Sequence, residues 1–286
     1  ILLKNARLSK FKDSVIHTIP VPGFTKWVRY FVPIKRERPE ETNLKKKIFA
    51  YLQLMRFPNL FTSIADVLAG YLIVKGLKIG GLELLALFFS TCFIYGGGCI
   101  LNDFRDRKRD ALERPQRPIP SGRVSLSEAF ILCLIFFGLG LFTAFWAGKA
   151  CLFVASLLVL LVVSYDVFTK DIPVLGPVTM GACRGANLLL GMSLSFHWSG
   201  IAIVFPFISF TYVFALTTLS HFEVEGGLSG KSWIVSACLL LVLSMVLILN
   251  LTKQLAADSL IYAGLLVIFA APPLIAGLLK PAPQRV

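Results

Sequence analysis

Apolar runs long enough to cross a membrane recur along this chain, and no other feature limits its fold as strongly. They cover 52–74, 82–101, 126–146, 151–165, 174–196, 201–219, 233–251 and 260–279. A helix needs about 20 mainly apolar residues to cross hydrocarbon. The fourth run is short and borrows from 147–150. The apolarity is continuous rather than alternating, which argues for helices and against a barrel. Hydrophobic residues make up 56% of the chain, far above an ordinary soluble domain. The expected fold class is therefore all-α, an integral membrane helical bundle of eight transmembrane helices. It becomes nine if one more hides in the basic N-terminal segment. The expected domains are a basic, partly amphipathic segment over 1–50 and a transmembrane domain over 51–286.

Residues 1–50 carry twelve Lys/Arg, interleaved with Phe24, Trp27, Tyr30 and Phe31. This reads as an interfacial segment meeting anionic lipid. Nucleic-acid binding is set aside, because a basic flank beside membrane spans normally sets orientation. With the N-terminus inside, 24 Lys/Arg fall on the inner side and four outside. That asymmetry fits an even helix count and places the Asp-rich loop on the cytoplasmic, stromal or matrix side. Ile1 in place of Met is read as a processed or trimmed start, so the compartment stays open. A bacterial inner membrane, a plastid thylakoid and a mitochondrial inner membrane all fit. The six cysteines contain no CxxC pair and read as small buried hydrophobes.

Against this background LNDFRDRKRDALERPQRP (101–118) stands out, with ten formally charged residues of eighteen. Asp103, Asp106 and Asp110 are spaced three and four apart. A helix continuing past the second run places all three on one face. Carboxylates so close raise one another's pKa, and a divalent cation relieves the conflict. Mg²⁺ takes one or two carboxylates and fills its octahedron with water and phosphate oxygens. Arg105, Arg107, Lys108 and Arg109 then point elsewhere, toward lipid phosphates or substrate. A solvated, charge-alternating helix cap explains the spacing equally well.

The wider pattern, NDFRDRKRD followed by RPQRPIPSGR, resembles the first signature of the UbiA superfamily of intramembrane prenyltransferases. The matching residues are Asn102, Asp103, Asp106 and Asp110, then Arg117, Pro118, Ser121, Gly122 and Arg123. RFPNLFT (56–62) resembles the opening segment of that family, and YDVFTK (165–170) its Tyr…Lys element after helix four. The resemblance spans about residues 50–280. It implies a bundle around one central cavity. Its Asp-rich loops would bind Mg²⁺ and the diphosphate of a prenyl diphosphate. Ionisation then gives an allylic cation, which a lipophilic acceptor, aromatic or ring-bearing, attacks. Asp103, Asp106 and Asp110 would hold metal, with Asn102 beside them. Arg117, Tyr165, Lys170, Arg184, Asn187 and Asn59 would serve the diphosphate. Phenylalanine, with 24 copies, supplies apolar walls and cation–π partners, although any single Phe reads equally as lipid-facing filler.

The second acidic loop of the family matches less well. The chain reads SHFEVEGGLSGKS (220–232), with Gly227 where an Asp is expected. Glu223, Glu225 and, weakly, His221 form the expected second metal set. A Gly-rich connection with incidental acids is the plainer reading. VLGPVTMGACRGANLLLGM (174–192) together with EVEGG resembles the EboC-like branch of the superfamily. Inside the spans, Arg184 and Asn187 lie one turn apart, and Asn59, Ser63 and Asp66 share a face. Such groups face the interior with a partner. They reach donor or acceptor, or Asp66 and Arg184 form a structural pair. The expected activity is Mg²⁺-dependent isoprenyl transfer. The rival expectations are a catalytically degenerate bundle that binds an isoprenoid, quinone or pigment or serves as a structural subunit of a larger membrane complex, and a transporter.

Overall fold

The computed structural model describes residues 14–20, 27–33, 44–76, 81–195 and 200–225, with positions 241 and 245. The chain divides into two units, Ile1–Ile48 and Phe49–Val286. The first holds a two-stranded antiparallel hairpin, β1 (Ser14–Pro20) with β2 (Trp27–Pro33), in which Ser14 pairs with Pro33 and Pro20 with Trp27. The sequence reading assigned the chain to the all-α class and did not foresee this pairing. The β-branched residues Val15, Ile16, Thr18 and Ile19 of β1 and Val28 and Val32 of β2 suit strands.

The other described elements are helices joined by turns. The helices are α1 (Leu44–Leu54), α2 (Leu60–Lys75), α3 (Leu82–Glu113), α4 (Leu126–Ala147), α5 (Lys149–Ser164), α6 (Leu175–Met192) and α7 (Val204–Glu225). Among the described residues four stretches are long and apolar enough to cross a membrane: Phe57–Lys75, Leu82–Glu113, Leu126–Ala147 and Lys149–Thr169. The first six apolar runs of the sequence are thus helical, and 233–251 and 260–279 lie outside the described residues. Helix α7 continues to Glu225, so the 220–225 part of the expected acidic loop is helical backbone.

Helix α3 organises the bundle. Its 32 residues rise about 48 Å, well beyond the ~30 Å of hydrocarbon. The overhang lifts the charged stretch clear of the apolar core. Leu87, Ile94 and Ile100 on α3 are fully buried against Leu54, Val67 and Leu190. Ser90 donates to the Gly140 carbonyl of α4 at 2.8 Å, a contact that small residues on both helices permit. The connection to α4 is equally specified. Gly122 takes the left-handed φ of 75° that the turn needs. Ser125 and Glu128 then cap α4 reciprocally.

Candidate active site

Helices α2, α3, α5, α6 and α7 enclose a cavity of about 510 Å³. One end is polar because α3 overhangs there and two irregular segments meet it. The first is Arg56, at φ 51° and ψ 51°, the one non-glycine residue with positive φ among the described residues. Such strain tends to persist where surrounding contacts impose it. Arg56 Nη2 donates to Asn102 Oδ1 at 3.2 Å and to Asp103 Oδ1 at 3.1 Å. Burial works against the charge of Arg56. The Asp103 carboxylate, with the Cys99 thiol and Tyr95 hydroxyl nearby, outweighs it and holds the guanidinium pKa above its ordinary value.

The second segment is a π-helical turn, Tyr165–Thr169, which follows α5 directly. Single π turns occur often at functional sites. This one buries both Asp166 and Lys170, four residues apart. Asn102 Nδ2 donates to Asp166 Oδ1 at 2.8 Å, and Lys170 Nζ donates to Asp106 Oδ1 at 2.5 Å.

The three α3 aspartates do share one face, as their spacing predicts. Arg117 Nη1 reaches Asp103 Oδ1 at 3.0 Å and Asp110 Oδ2 at 2.7 Å, joining the 114–125 connection to α3. Arg123 holds that connection in place, donating to Gln53 Oε1 at 2.9 Å and to the Gln116 carbonyl at 2.6 Å. The structure thus answers carboxylate repulsion with cations. One sequence expectation is corrected here: Arg109 does not point away but pairs with Asp106 Oδ2 at 3.1 Å, one turn back.

Tyr165 lines the cavity beside this cluster. Asn59 is exposed. Arg184 and Asn187 do not join the aspartates of α3, and the Asp66–Arg184 pair, one of the two readings the sequence leaves open, is formed. They meet Asp66 deeper in the bundle, with Arg184 Nε 2.8 Å and Asn187 Nδ2 3.1 Å from Asp66 Oδ2. The side chains of His221, Glu223 and Glu225 lie outside the described residues. Two site residues escaped the sequence reading. Arg56 and Asp166 both sit inside quoted motifs, but only neighbouring residues were singled out. An Asp four residues before a Lys looks like an ordinary surface pair until the π turn buries both.

This geometry has relatives. The UbiA prenyltransferase family model matches residues 63–272. A digeranylgeranylglyceryl phosphate synthase of Methanosarcina mazei is 34% identical over 166 residues, 54% of this chain and 57% of the relative. The chain therefore spans little more than half the length of that protein. A solved structure of a digeranylgeranylglyceryl phosphate synthase aligns at TM-score 0.69 and 24% identity, covering 82% of this chain and 89% of the other. A UbiA homologue from Archaeoglobus fulgidus bound to GPP and Mg²⁺ aligns at TM-score 0.62 and 14% identity, covering 79% and 86%. At such identities the two structures speak for the fold alone. The EboC-like assignment finds no counterpart among these relatives. A family match over most of the chain, on a bundle with this fold and an Asp-rich overhang, settles the kinship: the chain belongs to the UbiA prenyltransferase family.

Proposed function

We propose that this protein transfers an isoprenyl group from a prenyl diphosphate to a lipophilic acceptor within the membrane, with Mg²⁺ as cofactor. One observation carries the reading. Arg56, Asn102 and Asp166 line one end of the cavity and link outward to Asp103, Asp106, Arg117 and Lys170, while Ile94, Leu158, Val162, Val213 and Leu216 give it apolar walls. A diphosphate leaving group needs charge neutralisation at its head and a dry wall beneath it.

Among the described residues no three His, Cys, Asp or Glu side chains gather at one point. Mg²⁺ does not require that, because one or two carboxylates suffice when water and phosphate oxygens complete the octahedron. The hard oxygens of Asp103, Asp106, Asp110 and Asp166 suit it, and these residues would hold it. Glu223, Glu225 and His221 would hold a second ion. Bound there, the ion supplies Lewis-acid neutralisation of the departing charge. The chain does the rest. Lys170 and Arg117 bind phosphate oxygens by charge-assisted hydrogen bonds. Asn102 and Arg56 fix the orientation of Asp166 and Asp103. The apolar wall keeps water from the allylic carbon. The charged end faces the inner side of the membrane, where the basic residues concentrate.

The test uses the full chain in lipid nanodiscs with Mg²⁺ and labelled geranylgeranyl diphosphate. The acceptors are geranylgeranylglyceryl phosphate, which the name of the relatives suggests, hydroxybenzoate and quinols. Diphosphate release with a prenylated product is expected. Asp103→Asn and Asp106→Asn should each lower turnover by about 10²–10³-fold. Absence of release across the panel refutes the reading and favours a binding subunit.

A further inference from the structure

The polar cluster at the other end of the cavity has no part in the scheme above. Its depth follows from α3, whose Thr91, Ile94, Tyr95, Gly98, Cys99 and Asn102 all line the cavity. Thr91 Oγ1 donates to Asn187 Oδ1 at 2.6 Å and so marks the deep cluster. Asn102, bonded to Asp166, marks the carboxylate end. Eleven residues of helix separate them, a rise of roughly 16 Å. Reacting atoms must approach to about 3–3.5 Å. The prenylated atom therefore stays beside the diphosphate, and Asp66 is too deep to be its base.

Three observations describe what the deep cluster offers. The Asn187 amide is fully used, because its Oδ1 accepts from Thr91 while Nδ2 donates to the Ser63 carbonyl at 2.9 Å and to Asp66 Oδ2 at 3.1 Å. Both contacts of the Asp66 carboxylate, from Arg184 Nε and from Asn187, end on the same oxygen, Oδ2. Among the described residues no buried side-chain N or O atom lacks a partner, so Asp66 Oδ1, which has none, is open to the cavity. Arg184 likewise spends only Nε on Asp66 and holds the Thr62 carbonyl loosely, at 3.4 Å through Nη2. A pair serving structure alone would turn away from the cavity. Here both side chains line it, 15% and 29% exposed.

We infer that Asp66 and Arg184 form an acceptor subsite that reads a hydroxyl remote from the atom to be prenylated. The inference rests on the transferase reading for which ligand enters, not for the subsite itself. An open carboxylate oxygen beside guanidinium N–H groups complements a group that donates one hydrogen bond and accepts another. The pair is formally neutral, so an anionic head would meet the Asp66 charge without a surplus cation. A hydroxyl meets no such conflict. Between the ends lies apolar surface, so the acceptor carries an apolar spacer between its reactive atom and this hydroxyl. Sites built around a hydrogen bond reject analogues that lack it, because their own polar groups are then left unpaired.

A matched pair of phenols tests this. para-(ω-Hydroxyoctyl)phenol and para-octylphenol are titrated into the full chain in nanodiscs, with Mg²⁺ and non-ionising geranylgeranyl thiolodiphosphate present. The hydroxylated probe should bind at least about tenfold tighter. That advantage should vanish in the double variant Asp66→Leu/Arg184→Met, which leaves no orphan charge, while binding of para-octylphenol persists. Asp66→Asn serves as a milder second variant and should shrink the advantage. Equal affinities in the unmodified protein, no binding of either phenol, or a preference surviving in the double variant would overturn the inference. Diphosphate release, measured alongside with geranylgeranyl diphosphate, judges the transferase reading separately. A preference without release would leave the subsite standing and remove the reaction.

Discussion

Gly191→Ala on α6 should be among the most damaging single-methyl additions in this bundle. A Cβ built there overlaps the Val67 carbonyl oxygen of α2 outright and comes within 2.8 Å of its carbon and 2.9 Å of Tyr71 N. All three are backbone atoms and have no rotamer by which to yield. Carbon contacts settle near 3.5 Å or beyond, so α2 and α6 must separate by on the order of 1 Å. Three polar links cross that interface: Asn187 to the Ser63 carbonyl at 2.9 Å, Asn187 to Asp66 at 3.1 Å, and Arg184 to Asp66 at 2.8 Å. An added ångström takes each past hydrogen-bonding range. Interhelical polar contacts in membranes are worth about 0.6 kcal/mol on average and up to about 1.7. The expected destabilisation is therefore about 2–5 kcal/mol, with lost packing pushing toward the upper figure. Equilibrium unfolding by SDS in mixed micelles measures it. Gly138→Ala on α4 is the control, because nothing lies within 4 Å of its added Cβ. It should be neutral or stabilising by up to about 1 kcal/mol. If Gly191→Ala unfolds within about 0.5 kcal/mol of the unmodified protein, the close α2–α6 contact is not what holds the deep cluster together.

Two further outcomes follow from the site and its approach. Ser125→Ala removes the reciprocal cap of α4 and should cost about 1 kcal/mol in the same unfolding assay, leaving donor binding unchanged. At the carboxylate end Asp103, Asp106, Asp110 and Asp166 are formally balanced by Arg56, Arg109, Arg117 and Lys170, so neither free Mg²⁺ nor free diphosphate meets a large opposite charge. Calorimetry should then find Mg²⁺ affinity at least about fivefold tighter with geranylgeranyl thiolodiphosphate present, and the reverse enhancement must be equal.

Much of this was legible because hydrocarbon leaves the backbone few options. Apolar runs of sufficient length become helices, and the first six did so. The aspartate spacing was legible for a similar reason, since α3 has to outrun the membrane and a continuing helix fixes its own faces. The partnership of Asp66 with Arg184 was weighed in advance, because charges inside a membrane need each other. Where the reading failed, the missing information was three-dimensional. The bridge from Arg117 to Asp103 and Asp110 is one such case, which spacing cannot reveal because it depends on how the 114–125 connection folds back. Asp166 depends on one extra residue in a turn, which shifts the helical face without leaving a mark in composition. Gly70 and Gly191 read as two more small apolar residues among many, although their helices touch backbone to backbone there.

That contrast explains why the two ends of the cavity differed in legibility. The carboxylate end is written in a local repeat on one helix, and a repeat can be read from sequence. The deep end is assembled from single residues on α2, α3 and α6, joined through one amide at Asn187. No segment carries its pattern. The physical signal is instead the cost of each polar group at that depth, which obliges it to find partners and to keep them. Asn187 meets that obligation completely, whereas Asp66 leaves one oxygen without a protein partner. In an apolar surround an open carboxylate oxygen is the feature a bound hydroxyl would satisfy, which is why the specificity of this protein is sought at the end its sequence motifs do not mark.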